Sequence, residues 1–273
     1  MPELPEVETT IVGLKPIVGS LIHNIKIHTP KLRFLIPKNI LLLKNYIKIQ
    51  SIDRRGKYIV ISLSNDHSMV IHLGMSGRLI LTTVAKFIKK KHDHFILCTN
   101  KEHLLVFNDP RRFGFLDYDK SSNILSRNYF LKMGIDALDK TLTGILLFEK
   151  IKTSEVPIKQ LLLNQHIIAG IGNIYASEIL FDAKISPLEK GRDLNIKDCN
   201  KIIVSIKKIL RKAIISGGSS LRDYVSADGT LGNFQNNFKV YNKEGKKISG
   251  SIIRKIVQYG RASYYCPKLQ KKK

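Results

Sequence analysis

The spacing of apolar positions changes twice along the chain. Val7, Ile11 and Leu14 recur at helical intervals near the start. Pro5 stands at the head of that run, Glu6 and Glu8 fall in its first turn, and Pro16 closes it. Proline tolerates an early helical position, and the positive end of a helix dipole favours acids. The pattern therefore predicts a helix preceded by a short extended arm, residues 1–4. From about residue 20 to 120 the runs become short and β-rich: Tyr58–Leu63, Met69–Leu73, His94–Cys98 and His103–Phe107. Close spacing without crossover helices predicts a sandwich or barrel-like domain and excludes a parallel doubly wound sheet.

Past about residue 130 the pattern turns helical. Ile202, Ile206, Ile209 and Ala213 form one face of a helix that stops at Gly217-Gly218, with Asn195 and Asp198 placed to cap its start. Residues 217–237, rich in Gly, Ser, Asp and Asn, read as a long loop. Residues 238–266 alternate like a hairpin, and the chain ends on the basic run Lys271–Lys273. No internal repeat is visible. The expected fold class is α+β: an N-terminal β-sandwich with flanking helices over 1–130, a helical domain over 131–237, and a β-hairpin finger over 238–273.

Charge narrows the function classes. Across 273 residues, 46 Lys+Arg face 22 Asp+Glu, a formal net charge of +24. A polyphosphate backbone is the usual acceptor for such an excess, because basic side chains release its condensed counterions. A merely lysine-rich surface would give the same sum. No run approaches the roughly 20 apolar residues of a membrane helix, and the acidic start MPELPEVETT fits neither a signal nor a transit peptide. The expectation is a cytoplasmic monomer. Cys98, Cys199 and Cys266 are odd in number and far apart, so neither a disulfide framework nor a complete metal motif is present.

Chemistry concentrates in a few blocks. In Met1-Pro2-Glu3-Leu4-Pro5-Glu6, loss of Met1 would expose a secondary amine able to attack a sugar anomeric carbon and form a cationic Schiff base. Glu3 beside it could move protons. Alone, these residues read better as a stiff arm entering a capped helix, because a proline near a helix start is common. Gly56 permits a tight turn that presents Lys57 at a strand start, although by itself this is an ordinary basic hairpin tip. Gly and Pro around Met75 and Phe113 place both on exposed loops. Gly170 and Gly172 allow a tight turn after which Asn173 can cap a helix, and free N–H groups there suit a phosphate.

Together these blocks resemble the formamidopyrimidine-DNA glycosylases. The likeness runs through PELPEVETT, Asp53–Tyr58, His72–Arg78, Asn108–Gly114 and Gln165–Glu178, and so spans nearly the whole chain. It implies that Pro2 is the nucleophile, Glu3 the proton donor to the deoxyribose ring oxygen, Glu6 a supporting residue and Lys57 a catalytic lysine. Met75, Arg111 and Phe113 would fill the hole left by a flipped nucleotide. His92, Asn173 and Arg261 would complete the contacts to double-stranded DNA. The loop 217–225 looks like a lesion-recognition loop, with Arg222, Tyr224 and Val225 near the everted base. The implied activity is bifunctional: removal of oxidised purines, then strand cleavage. Leu4 stands where the related endonuclease VIII enzymes have Gly, which weighs against their oxidised-pyrimidine chemistry. A catalytically silent DNA-binding relative is the other alternative.

The chain departs from that family at its end. The four-cysteine zinc finger keeps its frame but not its ligands: the four places fall on Ile248, Ser251, Cys266 and Leu269. A closed zinc site needs four donors, so no metal cofactor is expected.

Overall fold

The computed structural model describes residues 2–43, 47–219, 227 and 232–272. The chain forms two compact units, Met1–Lys132 with Ser216–Gln235, and Met133–Ile215 with Asn236–Lys273.

The first unit opens with helix α1, Leu4–Leu14. Eight strands follow: β1 Ile22–Ile27, β2 Ile49–Arg55, β3 Tyr58–Leu63, β4 His67–His72, β5 Arg78–Thr83, β6 Asp93–Thr99, β7 His103–Asn108 and β8 Phe115–Lys120. They make two four-stranded sheets, ordered β2-β3-β4-β8 and β1-β6-β7-β5, antiparallel throughout. Side chains alternate across a strand, so one face of each sheet must be covered. On β3, Ile59, Ile61 and Leu63 point inward and their neighbours are only half-buried. Ile59 pairs with Ile71 and Ile61 with Met69. On the other sheet, Phe95 pairs with Phe107 and Leu97 with Leu105. These residues share one core, which Val7, Ile11 and Leu14 of α1 also enter. Two short helices, α2 Ser121–Leu125 and α3 Asn128–Leu131, follow the last strand. This is the expected sandwich.

One segment packs where local pattern did not place it. Ser216–Gln235, expected with the helical domain, belongs to the first unit. Ala227 is fully buried in the sandwich core, and its carbonyl accepts the Leu81 N–H of edge strand β5 at 2.9 Å.

The second unit holds the remaining helices, α4 Gly144–Ile151, α5 Ile158–Leu163, α6 Asn173–Asp182 and α7 Ile196–Ile215, and a short parallel pair, β9 Ile135–Asp136 with β10 Ile168–Ala169. The expected cap of α7 is reciprocal: Asn195 Oδ1 accepts the Asp198 N–H at 3.0 Å, and Asp198 Oδ2 accepts the Asn195 N–H at 3.2 Å. Its buried face is Ile202, Ile206, Leu210 and Ala213; Ile209 sits at the margin of the stripe and is only half-buried. The tail forms a small turn, β11 Lys247–Ile248 with β12 Ser251–Ile252, then the hairpin β13 Arg254–Gln258 and β14 Arg261–Tyr265. Among the described residues no helix is long and apolar enough to cross a membrane.

Candidate active site

The extended arm ends at the start of α1. Pro2 and Glu3 are buried, and Glu3 and Glu6 form a capping box in which the Glu3 N–H donates to Glu6 Oε2 at 2.9 Å. The other oxygen, Glu6 Oε1, accepts the Ser219 N–H at 2.8 Å and the Ser219 hydroxyl at 3.0 Å. A buried carboxylate is costly unless fully hydrogen-bonded, and Glu6 meets that condition by joining two chain segments 213 residues apart. It fixes both the arm that carries Pro2 and the neck of the glycine-rich loop. Arg222, Tyr224 and Val225 lie outside the described residues.

Lys57 occupies a two-residue turn with Gly56, between paired Arg55 and Tyr58. Gly56 has φ +60°, a left-handed conformation that favours glycine. Arg54 anchors the turn to α1 through Glu8, Nε to Oε2 at 2.7 Å, and donates to the Gly56 carbonyl at 3.1 Å. Lys57 itself is buried.

Across the sheet from Tyr58 stands His72, to which the sequence reading gave no role. Its ring stacks on Phe115, centroids 5.6 Å apart, and its Nδ1 accepts the Gly74 N–H at 3.1 Å. That bond leaves Nε2 as the protonated nitrogen of a neutral ring. Burial first, then the Lys57 and Arg33 charges, lower its pKa from 6.5 to about 4. A histidine with a depressed folded pKa binds more protons when unfolded, so stability is lost as pH falls from 6.5 towards 4. His72→Asn should flatten that part of the stability–pH curve in urea titrations; an unchanged curve would exclude His72 as its source.

Met75, Arg111 and Phe113 come together on two welded loops. Asp109, fully buried, accepts the Ser76 hydroxyl at 2.5 Å on one oxygen and the Gly114 N–H at 2.8 Å on the other. Ser76 Oγ in turn accepts the Arg111 N–H at 3.1 Å. The loops touch so closely that a Cβ on Gly74 would lie 2.4 Å from Gly114 N. What projects is an exposed apolar pair, Met75 at 41% and Phe113 at 46%, with the Arg111 guanidinium 4.6 Å from the Phe113 ring centroid. Half-buried His92 stands beside this weld, its carbonyl accepting the Asp109 N–H at 3.1 Å. Asp109→Ala should cost about 3 kcal/mol of unfolding free energy, the order of losing a buried, charge-assisted acceptor. A wild-type urea midpoint would show the weld to be dispensable.

In the second unit, α5 and α6 meet through a turn stapled by Gln165, which accepts the Gly170 N–H at 2.9 Å and donates to the Leu163 and Ile171 carbonyls. Asn173 is the first residue of α6, and Gly172, not Asn173, is its N-cap. The Asn173 side chain turns instead to the finger: Nδ2 donates to the Ala262 carbonyl at 3.1 Å, and Oδ1 accepts from Lys159 Nζ at 2.7 Å. Lys159 has no exposed surface and also donates to the Ala262 carbonyl and the Ser263 hydroxyl, at 2.6 and 2.8 Å. Nothing in the local sequence marked this lysine, a lone charge within the apolar helix Ile158–Leu163. It places Asn173 beside Arg261, which is exposed just past the Tyr259-Gly260 hairpin turn.

The four positions of the expected metal frame carry Ile248, Ser251, Cys266 and Leu269. Ile248 packs against the apolar cluster of Val240, Ile253 and Tyr264, and it pairs with Ser251 across a strand turn. Cys266 is a buried free thiol. Among the described residues, no three His, Cys, Asp or Glu side chains gather as metal ligands.

Comparison with known proteins bears on the whole chain. Residues 1–116 match the formamidopyrimidine-DNA glycosylase N-terminal domain, and residues 133–225 match the H2TH domain of the same enzymes. The chain is 42% identical over 273 residues to the formamidopyrimidine-DNA glycosylase of Zymomonas mobilis, covering 99% of this chain and 100% of the relative. It is 43% identical over 270 residues to the one from Wolbachia of Culex pipiens, covering 97% and 98%. A Lactococcus lactis Fpg mutant solved with Fapy-dG-containing DNA superposes with TM-score 0.90 at 37% identity, over 99% of this chain and 100% of that one. The Lactococcus enzyme solved with abasic-site DNA gives 0.89 at 36%, with the same coverage.

Proposed function

Because the chain belongs to the formamidopyrimidine-DNA glycosylase family, we propose that it removes oxidised purines, 8-oxoguanine and formamidopyrimidines, from double-stranded DNA and then cuts the strand. The observation that carries this reading is the buried Pro2–Glu3 arm, held at a helix start by the fully bonded Glu6 carboxylate. With Met1 removed, the Pro2 nitrogen bonds to C1′ of the damaged nucleotide as the bond to the base breaks, and the proton the amine gives up is matched by one taken up by the departing base. Glu3 protonates the deoxyribose ring oxygen, the ring opens, and the nitrogen holds the sugar as an iminium ion. β,δ-Elimination then breaks both flanking phosphate ester bonds, and water releases the sugar remnant and the amine.

The rest of the described site serves access. Met75 and Phe113 wedge into the duplex and Arg111 replaces the lost pairing, because a base cannot be reached inside the stack. Lys57 serves the excision chemistry as a catalytic lysine, and His92 of the first unit and Asn173 and Arg261 of the second contact the DNA. The DNA-bound Lactococcus relatives support this substrate class. Borohydride reduction should trap the protein covalently on a duplex carrying 8-oxoguanine opposite cytosine. Excision without any trapped adduct would overturn the Schiff-base route, and no excision would overturn the substrate assignment.

A further inference from the structure

The finger carries one cysteine among its four expected metal positions, and it is bonded to the helical part of its own unit. Gln258, at the end of β13, and Gln270, in the tail, are both buried. Gln270 Nε2 donates to the Ile185 carbonyl at 2.8 Å, and Gln258 Nε2 donates to the Pro187 carbonyl at 3.1 Å. These acceptors lie two residues apart on the segment that follows α6. The opposite ends of both carboxamides are also engaged. Gln270 Oε1 accepts the Cys266 N–H at 2.8 Å, and Gln258 Oε1 accepts the Ser263 hydroxyl at 2.6 Å. A carboxamide can donate to a carbonyl from its nitrogen while its oxygen accepts from a donor. A buried network satisfied throughout fixes a single geometry.

We propose that the finger of this chain holds no structural metal and is instead locked to the segment after α6 by Gln258 and Gln270, which thereby set where Arg261 stands relative to Asn173. The proposal rests on the reading that Arg261 and Asn173 grip DNA phosphates. The clamp holds β14 at Ser263 and just past its end at Cys266, and Arg261 lies two residues before the first of these. A third tie holds the finger's entrance: the Glu178 carboxylate on α6 accepts the N–H groups of Lys239, Val240 and Tyr241 at 2.8–2.9 Å. Structural zinc ordinarily supplies much of a small finger's folding free energy. Here the apolar cluster around Val240, Ile253 and Tyr264 and the two glutamines share that task.

The test combines metal analysis with binding to a duplex carrying a tetrahydrofuran abasic analogue, measured over a range of salt. The full-length protein should contain no stoichiometric zinc, and a chelator should leave its affinity unchanged. Gln258→Leu and Gln270→Leu should each weaken binding roughly tenfold, the equivalent of about one net hydrogen bond. Each should also lower the log–log salt slope by about one, as Arg261→Ala is expected to do, because one phosphate contact is lost. Gln270→Glu keeps the acceptor for Cys266 but sets a carboxylate against the Ile185 carbonyl, so it should behave like the leucine variant. If Gln270→Leu does not fold, Gln258→Leu carries the test, since Lys159 still holds Ser263 at that end. One zinc per chain, released by Cys266→Ser, would overturn the metal-free finger. Leucine variants that melt lower but keep wild-type affinity and slope would overturn the positioning role. Wild-type affinity in Arg261→Ala would instead overturn the phosphate reading and with it the positioning role, while metal analysis still decides the finger.

Discussion

A preparation that keeps Met1, or carries any extension ahead of Pro2, should neither excise 8-oxoguanine nor form a borohydride-trapped adduct. The expected loss is on the order of 10⁴-fold or more, the scale seen when an enzyme's nucleophile is removed outright. An acylated Pro2 nitrogen has its lone pair in an amide and cannot form an iminium ion. The free α-amine, with a reference pKa of about 7.7–8.0, keeps roughly a tenth of its population unprotonated near neutral pH, far more than a lysine at about 10.4. Pro2→Gly still presents an amine and should keep partial activity. It gives up the proline ring's fixed backbone angle in the arm, so the amine should be less well placed. Single-turnover excision by protein whose N-terminus is checked by mass spectrometry measures this directly. Full activity with Met1 retained would rule Pro2 out.

What the sequence made legible was local. The first helix headed by Pro5, the Asn195–Asp198 capping box and the terminal hairpin all depend on residues within a few positions of each other. Sandwich strands such as Tyr58–Leu63 also stood out, because their alternation is written in consecutive residues. Polar strands such as Ile22–Ile27 did not, since three of their six positions are His, Asn and Lys. Contacts between distant segments were not legible at all. Ser216–Gln235 joins the first unit through Glu6 and Leu81, and no feature of the loop's own composition points there. Lys159 was invisible for the same reason: its three acceptors come from residues 14, 103 and 104 positions away. Resemblance supplied Asn173 and Arg261 as a list, and the buried lysine explains why they stand side by side.

Glu3→Gln should slow base excision by about 10²- to 10⁴-fold, the usual contribution of a positioned acid–base group, while leaving the arm in place. The two acidic residues of the capping box separate here. At Glu3, glutamine keeps a side-chain oxygen for the cap, and the Glu3 N–H still donates to Glu6 Oε2. The stability cost should stay near or below about 1 kcal/mol, the range of a cap substitution. What glutamine cannot do is deliver a proton to the ring oxygen. At Glu6 the order reverses. Its two oxygens receive the Glu3 N–H and both donors of Ser219, so an amide nitrogen there must face at least one donor. Glu6→Gln should therefore loosen both the arm and the loop neck and lower the melting temperature. Affinity for a duplex carrying a tetrahydrofuran abasic analogue should be unchanged in Glu3→Gln, since no proton is transferred on binding. If Glu3→Gln instead loses stability and affinity in step with excision, its carboxyl group is a structural cap and the proton comes from elsewhere.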